Sequence, residues 1–167
     1  MDSLLVAENS LAVVKLSGKT GDLLQLVTFG LGNEEYAVDI LKVQEINRMK
    51  AITRVPSAPA YIEGVINLRG KVMPVIDLRK KFGLAAKEND ANSRIMIMDI
   101  RGITMGFIVD AVSEVLRIPA GIVESPPVAC ETGTEFITGI AKLENRLIIL
   151  IDMDRLIGTS ADMLMIS

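Results

Sequence analysis

The sequence predicts an all-β fold: two small five-stranded barrels packed about a pseudo-twofold axis. Three observations carry this. First, the stretch from Tyr61 to Gly83 (YIEGVINLRGKVMPVIDLRKKFG) recurs from Phe136 to Gly158 (FITGIAKLENRLIILIDMDRLIG) with no gap. The shift is 75 (136 − 61), and Gly64/Gly139, Leu68/Leu143, Ile76/Ile151, Asp77/Asp152 and Gly83/Gly158 match. Second, Tyr36-Ala-Val-Asp39 lines up with Phe107-Ile-Val-Asp110 at a shift of 71 (107 − 36). Third, the segments between these landmarks alternate apolar and polar residues and are separated by short Gly- and Asn-containing turns, the spacing of small barrels. Closing each sheet on itself removes the exposed edges that a chain this rich in aliphatic residues must avoid.

At 167 residues the chain is one compact domain, or two small halves sharing a surface. Half of it is hydrophobic but only 4% is aromatic, with no Trp, so Ile, Val, Leu and nine Met must fill the core. The net charge of −3 speaks against nucleic acid, which calls for a clustered basic face. A single cysteine, Cys130, excludes an intramolecular disulfide and suits a reducing compartment. Asp2 and Glu8 stand where a secretory signal would be basic, and no apolar run approaches the roughly 18 residues that span a bilayer. A cytoplasmic protein without direct membrane insertion is expected.

Taken in order, residues 1–22 read as a flexible arm. Its Ser17-Gly18-Lys19-Thr20 imitates the end of a phosphate loop, but Val13 stands where the earlier Gly belongs and a strand follows instead of a helix. Leu23 to Phe29 and Glu34 to Asp39 form a hairpin about a Gly30-Leu31-Gly32-Asn33 turn. Ile40 to Asn47 starts helical and continues as a strand through Val43 and Ile46. Ala51 to Val55 is extended and ends at Pro56-Ser57-Ala58-Pro59. The Tyr61–Gly83 hairpin, with Asp77 capping a helical turn and Gly83 ending it, completes subdomain one, about 23–88. After a polar linker the pattern restarts from Ser93 and gives subdomain two, about 93–151. A C-terminal helix is expected over 152–166.

Catalysis finds little to work with. There is no His, which removes the commonest general base and the commonest metal ligand. Cys130 lacks the basic surroundings of a reactive thiol. Asp39, Asp77, Asp110 and Asp152 fall at equivalent turn positions of the two repeats, where backbone capping explains them better than acid–base chemistry. No catalytic residue, metal site or cofactor is therefore expected. The two hairpin copies differ in their turns. The first has Asn67, Arg69 and Gly70 where the second has Lys142, Glu144 and Asn145, and Pro74 stands where the second has Ile149. Pro lacks the ladder N–H, so Pro74 should face an edge or a bulge. Arg69 on such a turn is either a solvated side chain or a fork that grips a partner's carboxylate or carbonyl. Val43 and Glu45, separated by Gln44 on a strand, should face one side as a small apolar-and-acid patch, although Val43 could equally be core.

YAVDILKVQEI, the PSAPAYIEGVINLRGKVMPVIDLRKKFGL block and GFIVDAVSEVL closely resemble the chemotaxis coupling proteins, the CheW family, from about Leu24 to the C-terminal helix. The regulatory domain of the kinase CheA and the first domain of CheV share that fold, and an end without kinase or receiver sequence favours a free-standing coupler. The resemblance implies two SH3-like barrels in one CheW-like domain over 23–167. It implies a non-enzymatic adaptor between methyl-accepting receptors and the histidine kinase CheA, recruited to receptor arrays at the inner face of the membrane. Receptor contacts would fall on Val43, Glu45, Gly64 and Arg69, with Asn67 beside them and Gly106 and Val115 on the far wall. Contacts with the kinase's regulatory domain would use Ile40, Ile52, Thr53 and Glu63 in the first barrel. In the second they would use the Pro119 to Thr134 loop, including Val128 and Ala129. Self-association in rings is a further implication.

Overall fold

The computed structural model describes residues 23–126 and 136–157. The arm over 1–22, the pair Val128 and Ala129, and the expected helix beyond Ile157 lie outside the described residues. Eleven strands follow in order: β1 (Leu23–Leu31), β2 (Glu34–Asp39), β3 (Val43–Arg48), β4 (Ile62–Leu68), β5 (Lys71–Asp77), β6 (Arg94–Ile100), β7 (Ile103–Val109), β8 (Ala111–Pro119), β9 (Val123–Glu124), β10 (Ile137–Leu143) and β11 (Arg146–Ile151). Two 3-10 turns, Ile40–Lys42 and Ala120–Ile122, and two short helices, α1 (Leu78–Lys81) and α2 (Met153–Ile157), complete the described chain. No helix among the described residues is long and apolar enough to cross a membrane.

The local chemistry works as the sequence implies. Asp39, Asp77 and Asp152 each accept a hydrogen bond at 2.9 Å, from the backbone N–H of Leu41, Arg79 and Asp154 respectively. These are caps, placed where a helical turn leaves its first donors free. Asp110 does something else. It accepts from Gly32 N–H at 2.9 Å and from the Arg79 guanidinium through Nε at 2.9 Å and Nη2 at 2.8 Å, so it staples three segments together. Pro74 sits in β5 just before that strand joins β7, a ladder that begins at Val75↔Gly106, so no partner on that side misses its N–H. Its counterpart Ile149 lies within the ladder to β2.

The fold class holds, with two all-β sheets, but the sheets are not the two contiguous halves. One sheet runs β3-β6-β7-β5-β4 and the other β8-β1-β2-β11-β10-β9. The opening hairpin of each half has been exchanged. β1 and β2 pair with the second half's strands, and β6 and β7 with the first half's. The division at about 23–88 and 93–151 is therefore corrected. The cause is the long-range parallel pairing of β5 with β7 and of β11 with β2, which local alternation does not reveal.

Each sheet is closed by the chain itself. β8 runs through the second 3-10 turn into β9, so the two ends of the six-stranded order are contiguous in sequence. In the other sheet Thr53, a few residues past β3, bridges to Val65 on β4 at the opposite end. The bridges Thr53↔Val65 and Glu124↔Ile140 are the same contact in the two copies, because 124 − 53 is 71 and 140 − 65 is 75. Gly64 and Gly139 (139 − 64 = 75) make it possible. A Cβ on Gly64 would lie 2.1 Å from the Thr53 carbonyl oxygen, and one on Gly139 would lie 2.4 Å from Val123 Cγ1.

Closure gives three apolar clusters. Leu26, Ala37, Leu116, Ile118, Ala141 and Ile148 fill the six-stranded sheet. Ile66, Leu68, Met73, Val75, Ile95 and Ile97 fill the five-stranded one. The largest cluster lies between the sheets and includes Phe29, Tyr36, Met96, Met98, Met105 and Phe107. Methionine suits this seam because its unbranched side chain fills irregular gaps.

Candidate functional site

The seam between the sheets has two unpaired borders, the edge strands β3 and β8. Val43 on β3 and Val115 on β8 are both half-buried and pack against the cluster between the sheets. A cavity of about 710 Å3 opens nearby, lined by Gln25 and Leu26 of β1, Ile40 to Lys42, Met98 and Met153, among others. Val43 pairs with the lining residue Met98 and Arg117 with the lining residue Gln25, so each edge strand lies one ladder away from the cavity. Leu41, at the tip of the first 3-10 turn, is 88% exposed and stands over this opening.

Glu45 does not share a face with Val43. The β3–β6 register shifts between them, pairing Val43 with Met98 and Glu45 with Ile97. Met98 belongs to the cluster between the sheets and Ile97 to the interior of the five-stranded sheet. Because neighbouring residues of a strand point to opposite faces, the bulge sends the two side chains apart. The expected apolar-and-acid patch is thus replaced by two features on either side of β3.

On the Glu45 side an ion pair forms. Arg69 Nη2 donates to Glu45 Oε2, and Asn47 Nδ2 donates to Oε1 at 3.0 Å. The Arg69 guanidinium first, and the Asn47 amide second, hold the Glu45 carboxyl below its ordinary range. Arg69 reaches it from a two-residue turn in which both Arg69 (φ 53°) and Gly70 (φ 84°) take the left-handed conformation, the turn that matches strand twist. Asn67 braces that turn by accepting from Gly70 N–H at 2.9 Å. The β6–β7 turn repeats the device: Arg101 and Gly102 have φ of 53° and 84°, and Asp99 accepts from Gly102 N–H at 2.8 Å. Asn67 is thus a turn brace as well as a neighbour of Arg69.

Gly64 and Gly106 are buried and present no side chain to a partner. They lie on one row across the five-stranded sheet, through the pairs Glu45↔Ile97, Ile97↔Gly106, Gly106↔Val75 and Val75↔Gly64. Gly106 is therefore not on the far wall, where it was expected. The exchange of hairpins puts β7 in the sheet that carries Glu45, where a Cβ on Gly106 would lie 2.8 Å from Ile95 Cγ2. Of the two residues expected there, only Val115 belongs to the six-stranded sheet.

The expected kinase contacts divide in the same way. Ile52, Thr53 and Glu63 come together where the five-stranded sheet closes. Thr53 is exposed, Ile52 is half-buried, and Glu63 pairs with Lys80. Ile40 lies elsewhere, half-buried on the 3-10 turn at the rim of the large cavity. Reading residues singly missed Asn47 and Arg117. The signal for each was strand parity, two residues beyond Glu45 and Val115.

Comparison with known proteins gives this geometry its context. Residues 25–161 match the family model described as "CheW-like domain". The chain is 40% identical over 148 residues to a "Chemotaxis protein CheW" of Klebsiella aerogenes, covering 88% of this chain and 89% of that one. It is 41% identical over 135 residues to the protein of the same name from Bacillus subtilis, covering 80% and 85%. The crystal structure of the scaffolding protein TtCheW from Thermoanaerobacter tengcongensis superposes with a TM-score of 0.76 at 42% identity, covering 83% of this chain and 94% of that one. The two closed sheets, their exchanged hairpins and the seam between them thus sit on a chain that belongs to the CheW-like domain family.

Proposed function

We propose that this protein is a non-enzymatic coupling adaptor of bacterial chemotaxis. It holds the cytoplasmic tip of a methyl-accepting receptor along the seam between its sheets and the regulatory domain of the histidine kinase CheA at its sheet-closing edge. The observation that carries this reading is the likeness to a CheW described as scaffolding, over 83% of this chain and 94% of that one. The seam supports it physically. It offers half-buried Val43 and Val115 and a cavity, with the Arg69–Glu45 pair across β3 from Val43, so apolar contact and fixed charge flank one edge strand, a mixture that suits a protein helix. Recruitment to receptor arrays, contact of the kinase through Ile52, Thr53, Glu63 and the Val128–Ala129 loop, and ring-like self-association belong to the same reading. No cofactor enters it.

Reconstitution tests it. The full chain, a receptor cytoplasmic fragment and the kinase are mixed, and kinase activity and co-sedimentation are measured. The adaptor should raise kinase activity and bring the kinase into the receptor pellet. If neither changes, the reading fails. A large thermal stabilisation by nucleotide or divalent metal would instead favour a binding function centred on Ser17 to Thr20.

A further inference from the structure

We propose that Arg117 is the specificity-determining cation of the seam and that it takes a carboxylate from the helix docked there. This rests on the adaptor reading of the same groove.

Arg117 lies on the edge strand β8, two residues from Val115, so the two side chains share a face. Its ladder partner Gln25 lines the large cavity, which places Arg117 beside the opening. Its Nε is buried and has no hydrogen-bond partner among the described residues. The nearby acid on its own strand is already engaged: Glu114 accepts from Arg146 Nη2 at 2.6 Å, and Arg146 also donates to Glu35 at 3.0 Å. Arg69, the cation of the β4–β5 turn, is neutralised by Glu45. Among the described residues, Arg117 is left as a guanidinium with a desolvated donor and no counter-ion. A buried donor left unmade is costly. A planar fork is satisfied best by a carboxylate, which both neutralises it and fills two donors at once.

The spacing also selects the shape of the ligand. Val115 and Arg117 are about 6.7 Å apart along the strand, close to the ~6 Å rise between positions i and i+4 of an α-helix. A helix lying along β8 can therefore rest an apolar residue on Val115 and present an Asp or Glu one turn later to Arg117. Apolar contact supplies area, and the carboxylate fixes register and direction.

The test uses the full chain and a receptor cytoplasmic fragment, with affinity measured by calorimetry at several salt concentrations. Arg117→Gln should weaken binding about tenfold or more and flatten the salt dependence, while the melting temperature stays at the wild-type value or rises. Arg117→Lys should fall between the two. Arg117→Glu should bind more weakly still, and one acid-to-Lys variant at the receptor tip should restore it. Failure of the wild-type chain to bind the fragment rejects the adaptor reading itself. Binding by wild type together with unchanged affinity and salt dependence in Arg117→Gln overturns the inference alone. So does a marked drop in melting temperature, which would assign Arg117 to the fold.

Discussion

The carboxylates of this protein divide by what surrounds them, and their pH behaviour divides with them. Burial pushes Asp110 up, but the Arg79 guanidinium and the Gly32 N–H outweigh it and leave the group below its ordinary value of 3.8. A depressed native pKa contributes stability that is present above the unfolded value and lost as pH falls through the native one. Asp110→Asn should therefore melt lower at neutral pH, by about 1–3 kcal/mol, and lose less of its remaining stability than wild type on acidification below about pH 4. Asp77 has the opposite sign. Burial raises it against the pull of its cap bonds, so its favourable contribution is complete at low pH and fades as pH rises through the raised value. Asp77→Asn keeps a capping oxygen without the charge and should melt no lower than wild type at neutral pH, whereas Asp77→Ala should lose about 1 kcal/mol. Urea titrations across pH 3 to 8 would separate all three variants. For the exposed Glu45–Arg69 pair, Glu45→Lys and Arg69→Glu should each weaken receptor binding while melting near the wild-type temperature. A loss of folding in Glu45→Lys would make that residue structural. Unchanged binding in Arg69→Glu would remove Arg69 from the docking wall.

At the scale of elements, the sequence was most legible where structure is decided within a few residues. The duplicated hairpin, its Asp77 cap and the helical start before β3 all follow from turn chemistry and alternation, and all are present. The bulge at Gln44 is different. One extra residue in β3 reverses which face Glu45 occupies, and nothing in ILKVQEIN marks it, because the bulge is set by pairing with β6, where Glu45 meets Ile97, 52 residues on (97 − 45). The comparison of the two copies singles out Arg69, which the structure pairs with Glu45 from the β4–β5 turn. It was incomplete at Gly64, whose match with Gly139 reflects sheet closure. Gly64→Ala puts a Cβ against the Thr53 carbonyl at a φ of +152° and should destabilise by on the order of 3 kcal/mol. Gly139→Ala should do the same in the other sheet. If either variant melts within a degree of wild type, the closing contact is looser than described.

For the whole molecule, the exchange of hairpins couples the two sheets. The chain crosses between them after Asp39 and again near Asp110, so neither sheet can be assembled from one half of the sequence. Calorimetry should show one cooperative transition, with equal calorimetric and van't Hoff enthalpies. A fragment ending at residue 88 should not fold alone, since it has β1 and β2 without the sheet they belong to. Two separate melting transitions, or a folded fragment, would contradict the coupling. These pairings were hidden from the sequence because a strand's pattern records which face is buried and leaves open which neighbour it meets across the chain.

The exchanged hairpins also bear on how such a chain could arise. A single unit of five strands, in this arrangement, has its first hairpin seated in someone else's sheet. A half-length ancestor would have been complete only as a swapped pair of identical chains, and fusion of two copies through a linker such as 85–92 turns that dimer into a monomer. Once fused, the halves were released from symmetry. One turn could keep Asn67, Arg69 and Gly70 while the other took Lys142, Glu144 and Asn145. A symmetric dimer offers the same surface twice, whereas this chain offers two different ones, which is what a protein standing between two unlike partners requires.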